Sequence, residues 1–192
     1  MFNDLSSPAA LMATRRSGKP RDMTGPGPTV EQLDRILHAA TRVPDHGKLA
    51  PWRLVVVPDD RRAAFATLLE RAYRAERPEP GKVELEAVHQ FAMQAPALVV
   101  VLSAPAHASH IPIWEQELSA GAACMALLVA THAEGLVGGW LTGWAAYSDM
   151  VRGAFGQPGE RIAGFMFLGT PSRALDERPR PERASVVRIW QG

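Results

Sequence analysis

The feature that most restricts the fold lies past the middle of the chain. Residues 114–134 are good helix formers almost throughout, and both faces of their middle are apolar or small. A helix that is apolar all round has to be buried. Gly135 follows it where a C′ glycine would stand. Such a helix needs a layer to pack on, and three short runs supply one: RLVVV at 53–57, ALVVVL at 97–102 and IAGFMFL at 162–168. Continuous apolar runs of this length, bounded by Pro and Gly, read as buried strands. The chain is therefore expected to fold as an α+β or α/β sandwich around one sheet.

The remaining elements fit around that core. Ser7 before Pro8 caps a first short helix, and residues 18–28, rich in Gly and Pro, read as a loop. Thr29 with Gln32 makes a capping box, and Leu33, Ile36, Leu37 and Ala40 form one helical face that stops before Pro44. Asp59 or Asp60 is expected to cap a helix burying Phe65, Leu68, Leu69 and Ala72. Val83, Leu85, Val88, Phe91 and Ala92 predict another, ended by Pro96. Val137 to Thr142 reads as a glycine-rich strand, and Ser148 caps a short helix through Phe155. Residues 172–183 are charged and proline-rich and read as an extended tail, ending in Val186, Val187, Arg188, Ile189 and Trp190, a candidate last strand. No repeat or composition break divides the 192 residues, so one domain over 1–192 is expected.

Composition excludes more than it names. With 21 basic and 20 acidic residues, the formal charge is +1, which gives no support for a nucleic-acid or anionic-membrane partner. The single Cys124 rules out an intrachain disulfide and fits a reducing, cytoplasmic setting. Set mid-helix among apolar residues, it reads as a buried, inert thiol. The N-terminal stretch lacks the basic n-region of a signal peptide. The longest apolar run, 120–130, is 11 residues, whereas a bilayer needs about 20. Gly25-x-Gly27 is no dinucleotide fingerprint, and P-loop, HExxH and GxSxG motifs are absent. His107 and His110 lack acidic or cysteine partners, so no metal is expected.

Four pieces carry possible chemistry. Arg15-Arg16-Ser17, directly after the first helix, offers two guanidiniums and a hydroxyl suited to a phosphate. Arg42-x-Pro44-Asp45-His46, followed by Pro51-Trp52, is a rigid loop able to hold a flat polar ring. The small residues Ser119, Ala120, Gly121 and Ala122 let a backbone or a ring approach the long helix. Gly138-Gly139-Trp140-Leu141-Thr142-Gly143 permits backbone contact with a ligand.

In this order the pieces resemble the nitroreductase family of FMN-dependent oxidoreductases, especially its small, single-domain NAD(P)H nitroreductases. The carriers are RRS at 15–17, RVPDH at 42–46, PW at 51–52, WEQELSAG at 114–121, GGW at 138–140 and GFMFLGTP at 164–171. The resemblance spans roughly residues 11–171. It implies an α+β, nitroreductase-like fold: a central, mainly antiparallel sheet wrapped by helices, in an intertwined homodimer with FMN sites at the interface. The tail, 172–192, would cross to the partner protomer and add a strand to its sheet.

The resemblance also assigns roles. Arg15, Arg16 and Ser17 would hold the FMN phosphate and ribityl end, with Arg188 a further FMN contact. Arg42 and His46 would reach FMN from the other side of the site, and Trp140, Leu141 and Thr142 would line its isoalloxazine. Ala130, Thr131, His132, Ala133, Glu134 and Gly135 match a stretch assigned to the nicotinamide nucleotide. The implied activity is ping-pong transfer of hydride from NADH or NADPH through FMN to a small-molecule acceptor such as a nitroaromatic or a quinone. No catalytic side chain is implied, because the chemistry is the cofactor's. A flavin-fragmenting relative and a non-catalytic flavin-binding module are the alternatives. The chain departs from its close relatives at Ala50, where they carry Gln, and at Leu141-Thr142, where they carry Arg-Ser.

Overall fold

A computed structural model describes residues 2–192. Five strands form one sheet in which every pairing is antiparallel. In chain order the elements are α1 (Pro8–Thr14), β1 (Met23–Thr24), α2 (Val30–Ala40), β2 (Trp52–Val57), α3 (Arg62–Glu76), α4 (Lys82–Met93), β3 (Ala97–Ser103), α5 (Ile113–Ala133), β4 (Val137–Leu141), α6 (Asp149–Phe155), β5 (Arg161–Pro171) and α7 (Arg183–Val186). β5 is central, with β3 along one edge and β4 along the other, while β1 pairs with its last two residues. β2 pairs only with β3 and leaves an open edge.

The period-2 alternation of strands explains why β3 and β5 read as unbroken apolar runs. Leu98, Val100 and Leu102 of β3 and Phe165 and Phe167 of β5 pack with Phe65, Leu69 and Ala72 of α3 and with Val88 and Ala92 of α4. The intervening Val99, Val101, Met166 and Leu168 pack on the other face with Ile36 and Ala40 of α2 and Cys124, Leu127 and Leu128 of α5. Helices thus cover both faces of the sheet. The caps at Ser7, Thr29 and Ser148 form as expected, with Thr29 and Gln32 bonded reciprocally.

Several expectations are corrected. The run 53–57 is an edge strand, with Arg53 and Val56 exposed, Leu54 and Val55 half-buried and only Val57 buried, because no described residue pairs with its outer edge. Residues 18–28 contain β1 and a 3-10 turn, Pro20–Asp22. Neither Asp59 nor Asp60 caps α3; a 3-10 turn leads into it instead. Arg62 turns inward, its Nε donating to the Ala92 carbonyl at 2.6 Å and its guanidinium also to that of Gln94. Residues 186–190 are no strand: α7 is a single turn, and Ile189 and Trp190 stand 80% and 88% exposed. Only one side of α5 is closed, while Trp114 and Leu118 on the other are 68% and 52% exposed.

Candidate functional site

The Arg15–Ser17 segment leaves α1 and runs along the free side of β4, where the Gly18 N–H donates to the Gly138 carbonyl at 3.1 Å. This approach accounts for Gly139, and the packing of α5 on β4 for Gly138. A Cβ on Gly139 would lie 2.7 Å from the Gly18 carbonyl oxygen, and one on Gly138 2.7 Å from Leu128 Cδ2. Both glycines therefore serve the chain's own packing, whether or not a ligand is bound. Between the segment, β4, the C-terminal half of α5 and the start of the tail lies a cleft of about 670 Å³. Arg15, Ser17, Gly139, Trp140 and Leu141 line it. Trp140 lies over Gly164, where any Cβ would collide with the indole, and its Nε1 donates to the Ala163 carbonyl at 3.0 Å.

The two adjacent arginines are used differently. The Arg15 guanidinium is partly buried and donates to Ser17 Oγ at 3.1 Å, with no carboxylate partner among the described residues. Burial lowers its pKa, and the neighbouring charges of Arg180 and Arg16 push the same way. Arg16 points elsewhere. It pairs with Glu177, donates to the Arg15 carbonyl at 2.9 Å and stacks over the Phe2 ring at 4.9 Å.

The tail closes the cleft's rim. Arg173 grips the Asp22 carboxylate through Nε and a terminal nitrogen at 2.8 and 2.7 Å, and Asp176 meets Lys19 at 3.1 Å. Arg173, Leu175 and Arg178 from the tail, with Lys19 and Gln94, join the lining. Sequence reading missed these five. The signal was the charge sequence of 173–178, which complements that of 15–22 but looks like linker composition until the two segments are seen side by side.

Other expected residues lie apart. Arg42 and His46 are exposed in the loop after α2, and His46 Nδ1 meets Glu115 Oε2 at 2.7 Å. That loop is tied to the start of α5, where Ser119 Oγ donates to the Pro44 carbonyl at 2.7 Å and receives the Trp52 indole N–H at 3.2 Å. The cleft is anchored at the opposite end of α5, where His132 Nε2 meets the Arg16 carbonyl at 2.9 Å. From Glu115 to His132 the helix rises about 25 Å.

Thr142, just past the end of β4, lines a separate hollow of about 290 Å³ beside Tyr73, Phe91 and Trp144. Arg188 lies in the exposed tail. None of Ala130, Thr131, His132, Ala133, Glu134 and Gly135 lines the cleft. Thr131 and His132 are fully buried, and Glu134 holds Arg35 in a two-point ion pair at 2.8 and 2.7 Å. Burial draws the His132 pKa down, and its carbonyl contacts with Leu128 and Arg16 counter this in part.

As chemistry, the cleft offers an uncompensated arginine and a hydroxyl at one end and a strand edge with a half-exposed tryptophan beside it. That combination suits a ligand with an anionic end and a flat ring.

The model of the nitroreductase family matches residues 12–170. A protein of Escherichia coli (strain K12) named "Putative NAD(P)H nitroreductase YdjA" is 36% identical over 162 residues, covering 84% of this chain and 86% of that one. Among solved structures, a nitroreductase-like family protein from Bacillus cereus superposes with a TM-score of 0.79 at 23% identity, over 97% of both chains. A nitroreductase from Bacteroides fragilis NCTC 9343, solved with bound FMN, gives 0.69 at 19% identity, over 94% of this chain and 96% of that one.

Proposed function

Since this chain belongs to the nitroreductase family, we propose that it is an FMN-dependent NAD(P)H oxidoreductase whose cofactor lies in the cleft beside β4. The observation that carries the reading is Arg15: a partly buried guanidinium with no acid to balance it, next to a serine hydroxyl, at the end of a cleft floored by a strand edge. A phosphate supplies the missing charge, and a planar guanidinium can meet two of its oxygens at once. Ser17 Oγ is a further donor. The backbone of residues 139–141 and the Trp140 indole would bound the ring. When bound, FMN would supply the redox chemistry, a ping-pong hydride transfer between NADH or NADPH and a nitroaromatic, quinone or related acceptor. The chain's own groups bind, orient and shield; no side-chain acid or base is assigned.

The site is expected to be completed by a second copy. Trp114, Leu118, Ala122, Met125 and Val129 fall at helical spacing on the open side of α5, an apolar stripe of the kind that marks an interface. Packing two α5 helices antiparallel about a two-fold axis would bring the partner's Arg42 and His46 toward the Arg15 end of this chain. The exposed residues 186–190 and the open edge of β2 fit exchange of a strand between copies. Among the described residues, no helix is long and apolar enough to cross a membrane.

The test is FMN affinity by fluorescence at fixed salt, with bleaching of the yellow protein by each nicotinamide. Charge-assisted hydrogen bonds contribute about 1.5–3 kcal/mol each. Arg15→Ala should therefore weaken FMN binding about tenfold to a hundredfold, and Arg15→Lys should recover part. Equal dissociation constants in all three proteins would move the phosphate elsewhere. A wild-type protein that takes up no FMN would overturn the whole reading.

A further inference from the structure

The FMN reading leaves unexplained a fully buried histidine far from Arg15 in sequence, and His132 has an unusual pair of contacts. Its Nδ1 lies 2.5 Å from the Leu128 carbonyl, one turn back on α5, and its Nε2 lies 2.9 Å from the Arg16 carbonyl. We propose that His132 is a positioning residue of the phosphate site: by pinning the Arg16 carbonyl to α5 it fixes the peptide that aims Ser17, and with it Arg15, into the cleft. The inference rests on the FMN reading and adds a residue that touches no ligand.

The geometry follows from the peptide bond. A carbonyl can only accept, so Nε2 carries a proton when it bonds Arg16, either in the Nε2–H tautomer or in an imidazolium that also donates from Nδ1 to Leu128. The Arg16–Ser17 peptide is planar and trans, so its N–H points opposite to its carbonyl. With the carbonyl turned into α5, the Ser17 N–H is turned away from His132. That N–H finds no acceptor among the described residues, although Ser17 lines the cleft. A phosphate would then meet three donors from one short segment: the Arg15 guanidinium, Ser17 Oγ and Ser17 N–H. The segment is tied on both sides of this peptide, through Arg16 N–H to Asn3 Oδ1 at 2.9 Å and through Gly18 N–H to the Gly138 carbonyl at 3.1 Å. His132 is the tie at the peptide itself. Without it the carbonyl is left without a partner against α5, and such a group turns to find one.

A paired substitution isolates that bond. An asparagine amide stands near the place of Nδ1, so His132→Asn keeps the local contact and loses the long one. A glutamine amide reaches the place of Nε2, so His132→Gln restores it. FMN and riboflavin affinities are measured for both variants and the wild type at fixed salt, beside thermal unfolding of the apoproteins. His132→Asn should bind FMN about tenfold more weakly, bind riboflavin as the wild type does, and regain FMN affinity when Asn is replaced by Gln. In an Arg15→Ala background, His132→Asn should have a much smaller effect, because the residue through which it acts is gone. Parallel loss of FMN and riboflavin, tracking the drop in melting temperature, would make His132 a packing residue and overturn the proposal. So would unchanged FMN binding in a folded His132→Asn protein. A wild type that binds riboflavin and FMN equally would instead reject Arg15–Ser17 as the phosphate site, and a wild type that binds neither would reject the FMN reading; the proposal falls with either.

Discussion

On one side of α5, Cys124, Leu127 and Leu128 pack against Val99, Val101 and Met166 and are closed to solvent. On the other, Trp114 and Leu118 are largely exposed, and Ala122, Met125 and Val129 continue the stripe half-covered. The two sides are alike in composition and unlike in surroundings. An all-apolar helix states that both sides must leave water; it does not state who covers them. The inner side is covered by the chain's own sheet, so its residues should govern folding. The outer side has no cover among the described residues, so its residues should govern assembly and, through Arg42 and His46, completion of the proposed site.

The largest expected effect is on the inner side. Leu127→Ala removes a fully buried side chain from a packed layer, where such truncations cost about 2–5 kcal/mol. Denaturant unfolding should show that loss at every protein concentration. On the outer side, Leu118→Asp should leave helix content intact but convert the proposed dimer to monomer by light scattering, with FMN retention falling as the partner's residues are lost. Unfolding of Leu118→Asp to the same degree as Leu127→Ala would break the distinction between the two sides. A wild type that is monomeric with FMN fully bound would remove the outer side's role.

The same distinction decides what could be read without coordinates. β3, β5 and the caps at Ser7, Thr29 and Ser148 were legible because period, length and capping chemistry are local. The openness of β2 was not, since an edge strand and a covered one can share the sequence LVVV. Arg15 and Ser17, which the sequence singles out as donors suited to a phosphate, do line the cleft. Arg16 looks identical to Arg15 in sequence, yet Glu177 claims it from the tail. Lys19, Arg173 and Arg178 were hidden for the same reason: their role depends on a contact between segments more than 150 residues apart. Leu141 and Thr142, side by side, line different hollows because β4 ends between them.

The tail sharpens the comparison at a smaller scale. Its first part, residues 172–178, is bound to its own chain through Asp22, Lys19 and Arg16, whereas residues 186–190 touch little. Deleting residues 185–192 should therefore weaken dimer and FMN retention together while leaving the monomer's melting behaviour nearly unchanged. Glu177→Gln, by contrast, removes only the charge partner of Arg16, which keeps its bonds to the Ala13 and Arg15 carbonyls. Glu177 is half-exposed, and ion pairs open to solvent contribute about 0–1 kcal/mol, so the effect on stability should be slight and should shrink further in high salt. A deletion that lowers stability without changing association would place the tail with the inner side.

A last effect tests the inner side by pH. Burial pushes the Cys124 thiol up to about 12 from an ordinary 9.0. In the unfolded chain the thiol loses its proton near the ordinary value, while in the fold it keeps it. The folded state thus binds more protons above about pH 9, so stability has to fall as pH rises. The contribution is fully present below the unfolded value and is lost as pH climbs toward 12, by at most about 1.4 kcal/mol per pH unit. Lysines and tyrosines also titrate there, so the readout is a difference. Unfolding free energies of wild type and Cys124→Ala, measured from pH 7 to 10.5, should differ by a constant packing cost up to about pH 9 and converge beyond it. At pH 8 a thiol reagent should label the native wild type only as fast as the fold opens, because the thiolate is scarce and the sulfur is sealed against the sheet. Fast labelling of the native protein would mean that α5 opens on its inner side as well, and the contrast between its two faces would fail at its centre.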